Sequence, residues 1–162
     1  MGEVFFEEDS ISVVRSKLED AKRLAPLLRQ SDVKEVWDSH HHLPLEALEE
    51  SLKHSIICLT VKIKDEPVAM FGICPEQILG SKATIWMLAS DKLGTIKKRF
   101  VKNSRHFIDM FLDYYPHLSN FVSVENMPSL TWLRWLGAKF SPPVEYGMEG
   151  KLFQYFYFKK ES

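Results

Sequence analysis

The fold follows from one stretch, Ala83–Phe140, which reads ATIWMLASDKLGTIKKRFVKNSRHFIDMFLDYYPHLSNFVSVENMPSLTWLRWLGAKF. Apolar and β-branched residues predict strands at Ala83–Ala89 and Leu118–Val124, and an apolar stripe at helical spacing predicts a long helix over Lys97–Tyr115. A strand, a helix and a second strand in this order form a crossover that makes the two strands parallel. A short helix follows, with Asn126 as its N-cap.

The charges of the long helix run against its dipole. Cations crowd its start (Lys97, Lys98, Arg99, Lys102 and Arg105), and Asp109 and Asp113 lie near its end. A helix dipole favours acids at the start and bases at the end, so local stability alone does not select this order. A helix start with free N–H groups and several cations suits an anion, phosphate above all. The alternative is a solvated basic face without a ligand.

Length and composition limit the class of protein. The 162 residues suit one domain, and 45% hydrophobic residues provide a core. The formal net charge of −1 excludes a generic nucleic-acid binder, so an anion site must be local. The two cysteines, Cys58 and Cys74, are expected to be reduced core thiols. The acidic start has no signal-peptide pattern, and no apolar run approaches the roughly 18 residues of a membrane span, so we expect a soluble cytoplasmic protein.

The rest of the chain predicts a mixed sheet. Residues 1–10 are expected to form a loose leader and residues 11–162 a single domain. Four further strands are predicted, at Ile11–Arg15, Ser55–Ile63, Pro67–Cys74 and Lys151–Lys159. Three further helices are predicted, at Lys17–Gln30 with a kink or stop at Pro26, at Asp32–Ser39 and at Pro44–His54. The fold class is α/β (α+β), with a mostly antiparallel sheet and one parallel pair formed by the fourth and fifth strands.

This order of elements resembles the GNAT (Gcn5-related N-acetyltransferase) fold. The helix that begins at Asn126 carries the pattern Asn126-x-x-Ser129-Leu130-x-x-Leu133-x-x-Leu136-Gly137-Ala138, which is similar to the GNAT helix that closes over acetyl-CoA. The resemblance extends from Ile11 to Phe158.

A more specific resemblance is to a GNAT-like phage group that includes internal virion protein A of short-tailed phages. Several blocks match in register, namely Trp86-x-x-x-Ser90-Asp91, Lys98-Arg99-Phe100, Asn120-Phe121-Val122, Asn126-x-x-Ser129 and Trp132-Leu133-Arg134-Trp135-Leu136-Gly137-Ala138. The resemblance implies a phage origin.

The GNAT resemblance implies an acyl-CoA site. The pyrophosphate would lie on Lys97, Lys98 and Arg99, the pantetheine arm along a bulge near Leu88 and Ala89, and the helix with Asn126 and Ser129 beside the CoA tail. Acetyl transfer to an amine needs a neutral amine, a polarised carbonyl and a protonated thiolate. Glu125, at the end of the fifth predicted strand, is the candidate base, and its alternative is a surface residue beside a helix cap.

The sequence departs from the GNAT pattern in three places. The loop Ser90–Ile96 contains one glycine where the family has a Gln/Arg-x-x-Gly-x-Gly/Ala motif, so side-chain cations would have to replace backbone contacts. The tyrosine that protonates the thiolate in many members corresponds to Leu133, and Ala138 replaces an aromatic residue. Tyr114, Tyr115 or Tyr146 could replace the missing acid, and spacing does not single one out.

The triplet His40-His41-His42 is the one motif that suggests a metal. Consecutive residues cannot all face one ion on a regular element, and zinc sites usually spread their ligands. We therefore expect no metal, and expect this loop to line the acceptor cleft. Trp132 and Trp135 are expected to be core or interface residues.

Two functions follow from these patterns. The first is acyl-CoA-dependent N-acyltransfer, with acetyl-CoA or another acyl-CoA as co-substrate and an unidentified small-molecule or protein amine as acceptor. The alternative is a catalytically inactive internal virion or structural phage protein that retains the GNAT fold, with virion partners or copies of itself. The expected location is the host cytoplasm or the virion interior, without a membrane partner.

Overall fold

The computed structural model describes residues 3–161 as one sheet flanked by helices. The strands are β1 (Val4–Glu8), β2 (Ile11–Arg15), β3 (Ile57–Ile63), β4 (Glu66–Pro75), β5 (Lys82–Ala89), β6 (His117–Ser123), β7 (Lys139–Phe140), β8 (Val144–Tyr146) and β9 (Lys151–Lys159). The helices are α1 (Leu18–Leu24), α2 (Gln30–His40), α3 (Pro44–His54), α4 (Lys97–Tyr114) and α5 (Met127–Trp135). Two short 3-10 helices cover Ala25–Leu27 and Asp91–Ile96.

The sheet has the order β1-β2-β3-β4-β5-β6-β9-β7, and β8 also pairs with β9. All pairs are antiparallel except β5 with β6, which are joined by the α4 crossover. The predicted mixed, mostly antiparallel sheet with one parallel pair is confirmed. The parallel strands are the fifth and sixth of the structure, because β1 precedes the strands predicted from the sequence.

The predicted loose leader was wrong within the described residues. Val4–Glu8 forms β1, which pairs antiparallel with β2, and the turn between them places Asp9 at φ 53°. Phe5 and Phe6 explain the difference, because both rings pack against the core and give this acidic segment apolar surface to bury. Residues 1 and 2 of the leader lie outside the described part of the chain.

Helices cover both faces of the sheet. On one face, α4 and α5 pack through residues such as Phe107, Phe111 and Leu130. On the other face, α1 and α3 pack through residues such as Leu24 and Leu48. The apolar stripe predicted for the long helix is therefore the stripe that holds α4 against the sheet. No helix within residues 3–161 combines the length and apolar character needed to cross a membrane.

The C-terminal part of the sheet contains two strands that the sequence did not predict. Lys139–Phe140 and Val144–Tyr146 both pair with β9, and Pro142-Pro143 lies between them. Such short strands carry too few residues for a detectable alternation of apolar and polar side chains.

Candidate functional site

The parallel strands separate after three residue pairs. β5 and β6 pair from Lys82 with His117 to Thr84 with Ser119, and both strands then continue without pairing to each other. At the point of separation the Asn120 side-chain amide donates a hydrogen bond of 2.8 Å to the carbonyl oxygen of Ile85. The two strands therefore leave a gap between them beyond Thr84 and Ser119.

A cavity of about 370 Å³ occupies the gap and extends beneath α2 and α3. Aromatic side chains form much of its wall, including Trp86, Phe100, Phe121, Trp132 and Tyr146. An aromatic cavity of this volume, with a few polar groups, has the usual character of a small-molecule site.

Asp32 lies on α2, and its carboxylate reaches the end of β5. The residue is fully buried. The backbone N–H of Ala89 donates to Asp32 Oδ2 at 2.9 Å, and Asn126 Nδ2 donates to Asp32 Oδ1 at 3.0 Å. Arg29 forms an ion pair with the same carboxylate at 2.9 Å, and its backbone N–H donates to the carbonyl oxygen of Ala89 at 2.8 Å. The chain itself therefore uses both backbone polar groups of Ala89.

Three residues of the expected cofactor site converge on this network. Asn126 caps α5 by accepting a hydrogen bond from the backbone N–H of Ser129 at 3.3 Å. The Ser129 hydroxyl lies 3.4 Å from Arg29 Nη2. Ala89, Asn126 and Ser129 are thus together, as the resemblance implies, but their polar groups already have partners within the chain. Leu88 lines the cavity.

The loop that follows β5 is a 3-10 helix. The Ser90 hydroxyl caps it by accepting from the backbone N–H of Lys92 at 3.2 Å, and the backbone N–H of Lys97 donates to the carbonyl oxygen of Gly94. Gly94 has no positive φ, and a Cβ added there would meet nothing within 4 Å, so the backbone does not require a glycine. Several backbone N–H groups of this loop therefore donate hydrogen bonds within the loop itself.

The cations at the start of α4 are exposed. Arg99 pairs with Asp9 at 3.2 Å, whereas Lys97 and Lys98 form no ion pair with any residue in 3–161. Lys97, Lys98 and Arg99 are not among the residues that line the cavity.

Glu125 lies on the surface beside α2. Its carboxylate accepts from Lys34 Nζ at 2.9 Å, and the same ammonium group lies 2.6 Å from Asp38. The side chain of Glu125 is 57% exposed, and the residue is not among those that line the cavity.

Two carboxylates line the cavity, Glu35 and Glu50. Glu50 is exposed and lies 3.2 Å from His54, whereas Glu35 is the more enclosed of the two. The backbone N–H of Ser123 donates to Glu35 Oε1 at 2.7 Å. Burial raises the pKa of Glu35 to about 7, and the nearby Asp32 adds to this effect, while the hydrogen bond from Ser123 opposes it. A carboxyl group with such a pKa can gain or lose a proton near neutral pH.

Sequence reasoning missed both Asp32 and Glu35. A signal was present, because Asp32, Glu35 and Ser39 recur at helical spacing on one side of α2. Polar residues at helical spacing usually mark a solvated face, so this pattern alone does not indicate a buried network.

Tyr146 is the tyrosine that the structure places in the cavity. Its ring stacks on Phe121 at 4.0 Å between centroids, and burial raises its pKa. Tyr114 is exposed, and Tyr115 packs against the core. Leu133, at the position of the usual GNAT tyrosine, is buried in the core.

Two of the three consecutive histidines line the cavity. His40 and His42 stack at 5.6 Å between centroids, and burial, followed by the neighbouring His42, lowers the pKa of His40. His41 turns away, stacks on Trp37 and lies 2.8 Å from Glu149. The part of the chain that the structure describes contains no group of three His, Cys, Asp or Glu side chains arranged to hold a metal ion.

Comparison with known families finds a match to a bacteriophage family. Residues 58–146 match the family described as "Bacteriophage T7, probable scaffold protein Gp13". The probable scaffold protein gp13 of Escherichia phage T7 is 32% identical over 130 residues, which cover 75% of this chain and 87% of that protein.

Solved structures with a similar fold are GNAT acetyltransferases. A GNAT-family acetyltransferase from Bacillus anthracis has a TM-score of 0.68 at 11% identity, covering 96% of this chain and 98% of its own. Spermidine N-acetyltransferase from Vibrio cholerae, in complex with CoA and spermine, has a TM-score of 0.65 at 15% identity and coverages of 93% and 96%. RimL, a ribosomal-protein acetyltransferase in complex with coenzyme A, has a TM-score of 0.69 at 10% identity and covers 98% of each chain. At these identities the similarity establishes the GNAT fold alone.

Proposed function

Because this chain belongs to the family of the bacteriophage T7 probable scaffold protein Gp13, we propose that it is a binding protein of phage particle assembly in the infected host and transfers no acetyl group. The observation that carries this proposal is the Asp32 carboxylate on the backbone N–H of Ala89. The GNAT resemblance assigns that part of β5 to the acyl-CoA arm.

A thioester at this position would have to displace Asp32. The Arg29 guanidinium, whose side chain is 11% exposed, would then lose its partner, and breaking a buried ion pair in this way typically costs about 3–5 kcal/mol. The glycine-poor 3-10 helix and Leu133 also support the proposal, because they replace a phosphate-binding loop and a general acid.

Titration calorimetry with acetyl-CoA tests the first half of the proposal. We expect no saturable heat at millimolar acetyl-CoA, and no release of free thiol when spermine or a lysine peptide is added. Lys98→Glu is the matched variant, because it reverses a charge that would meet the pyrophosphate and touches no core residue. Micromolar binding that Lys98→Glu weakens, together with thiol release, would overturn the proposal.

Infection with a phage that carries a stop codon in this gene tests the second half. We expect fewer intact particles, and expect the wild-type chain and Glu35→Gln to restore the yield equally when supplied in trans. Undiminished particle yield would contradict an assembly role. Rescue by the wild-type chain but not by Glu35→Gln would show that a proton-accepting group is needed.

The second candidate is acyl-CoA-dependent N-acyltransfer, which the open strand gap and Glu35 favour. Glu35 would take the proton of the acceptor amine, and Tyr146 would protonate the departing thiolate. Leu88, Ala89, Asn126 and Ser129 would flank the arm of the cofactor, with Lys97–Arg99 at its pyrophosphate. For this candidate, Glu35→Gln abolishes thiol release and Glu125→Gln preserves it, because Glu125 already pairs with Lys34 on the surface.

A further inference from the structure

The start of α4 presents cations that the proposed function does not use. Lys98, Lys102 and Arg105 follow one another at steps of four and three residues, so they share one exposed side over about 10 Å of helix. Lys98 and Lys102 form no ion pair with any described residue, whereas Arg105 pairs with Asp109 at 3.2 Å. The cations repel one another, and the positive end of the helix dipole disfavours them. Their presence is therefore better explained by binding to another molecule than by the stability of α4.

An exposed tryptophan adjoins these cations. Arg105 Nη1 donates to the carbonyl oxygen of Leu136 at 2.8 Å, which brings the end of α5 against the basic stretch. Arg134 is exposed there, and Trp135 is 73% exposed. We name Lys98, Lys102, Arg105, Arg134 and Trp135 the basic face. Tryptophan and arginine are the side chains that most often anchor protein interfaces.

The opposite face of the sheet carries acidic and exposed apolar side chains, which complement the cations and the tryptophan of the basic face. The beginning of α3 exposes Leu43 at 65% and Leu45 at 37% of their surface, beside Glu46 and Glu49. We name these four residues the acidic face. Because α3 packs on one side of the sheet and α4 on the other, one molecule cannot join its own two faces.

We propose that the basic face binds the acidic face of a second copy of this chain. Carboxylates of Glu46 and Glu49 would pair with the ammonium groups of α4, and the two leucines would cover Trp135. Such a contact joins two different surfaces, so it repeats from copy to copy and builds a ring or a filament. The inference deepens the proposed assembly role, and its failure would leave the acetyl-CoA and infection tests unaffected.

Sedimentation of the full chain over a range of concentrations, in 50 mM and 500 mM salt, tests the proposal. We expect association at low salt that weakens at high salt, because exposed charges are screened. Lys98→Glu with Lys102→Glu, and Glu46→Lys with Glu49→Lys, should each weaken self-association at least tenfold. An equimolar mixture of the two double variants should associate again, because the reversed charges at 98 and 102 of one variant then face the reversed charges at 46 and 49 of the other.

Two further variants make the test specific. Trp135→Ala should weaken association, and Lys22→Glu, an exposed change on α1, should leave it unchanged. A wild-type chain that stays monomeric at all concentrations would overturn the proposal. So would double variants that fail to associate with each other, or a monomer that binds an acidic peptide or an oligonucleotide at the basic face instead.

Discussion

At the scale of single residues, Asp32 holds together segments that are far apart in the chain. Its carboxylate accepts hydrogen bonds from Ala89, 57 residues away, and from Asn126, 94 residues away. Because no part of Asp32 is exposed, water cannot replace these partners. The residue is therefore both a structural centre and the group that fills the position expected for an acyl-CoA arm.

Asp32→Ala should lower the free energy of unfolding by about 3–5 kcal/mol, because Arg29 and the Ala89 N–H both lose a buried partner. Urea unfolding measures the loss. Asp38→Ala is the matched control, since its lysine partner is 48% exposed and can turn to water, so its loss should be about 1 kcal/mol. Equal losses in the two variants would show that the buried network of Asp32 stabilises the fold no more than the ion pair of Asp38 with Lys34.

Glu35 makes stability depend on pH. Its pKa is about 7 when folded, against 4.5 as the usual value, so the folded state retains a proton that the unfolded state releases. The favourable contribution of Glu35 to the free energy of unfolding is therefore fully present below pH 4.5 and is lost as the pH rises through 7. Glu35→Gln, which stays neutral, should gain up to about 3 kcal/mol relative to wild type between pH 4.5 and 8. Urea unfolding at both pH values measures this change, and a difference that stays constant with pH would contradict the raised pKa of Glu35.

At the scale of elements, glycine is required at position 72 and is not required at position 94. A Cβ at Gly72 would lie 2.4 Å from the carbonyl oxygen of Ile57, so Gly72→Ala must push β3 and β4 apart. We expect it to destabilise the protein by about 2 kcal/mol or more. Gly94→Ala should be neutral or stabilise by up to about 1 kcal/mol, because it adds a helix-favouring residue in open space. Thermal unfolding compares the two, and a large loss from Gly94→Ala would mean that its loop needs a glycine.

Elements with strong local signals could be predicted from the sequence. Pro44 and the leucine spacing predicted α3 with the bounds that the structure has, and the stripe that starts at Phe100 predicted α4. β1 was missed because the acidic residues around Phe5 and Phe6 suggested a solvated leader. The roles of Asp32 and Glu35 could not be predicted, because their partners are distant in the chain and are brought to α2 only by the completed sheet.

At the scale of the whole molecule, the GNAT fold and the acetyltransferase reaction are separable. The parted strands, the cavity and the crossover helix are all present, while the Asp32 carboxylate and the backbone N–H of Arg29 bind the two backbone polar groups of Ala89. A fold that presents different charged surfaces on its two sides suits assembly as well as catalysis. We therefore expect its function to depend on whether the Asp32 carboxylate or an acyl-CoA arm occupies the end of β5.

The backbone amide signal of Ala89 in an NMR titration with acetyl-CoA tests that claim most directly. If Asp32 holds this N–H, the signal should stay in place up to 1 mM acetyl-CoA, and it should exchange slowly with solvent deuterium because the bond is buried. A saturable shift of the Ala89 signal at micromolar acetyl-CoA would contradict the account, since it would mean that the cofactor displaces Asp32.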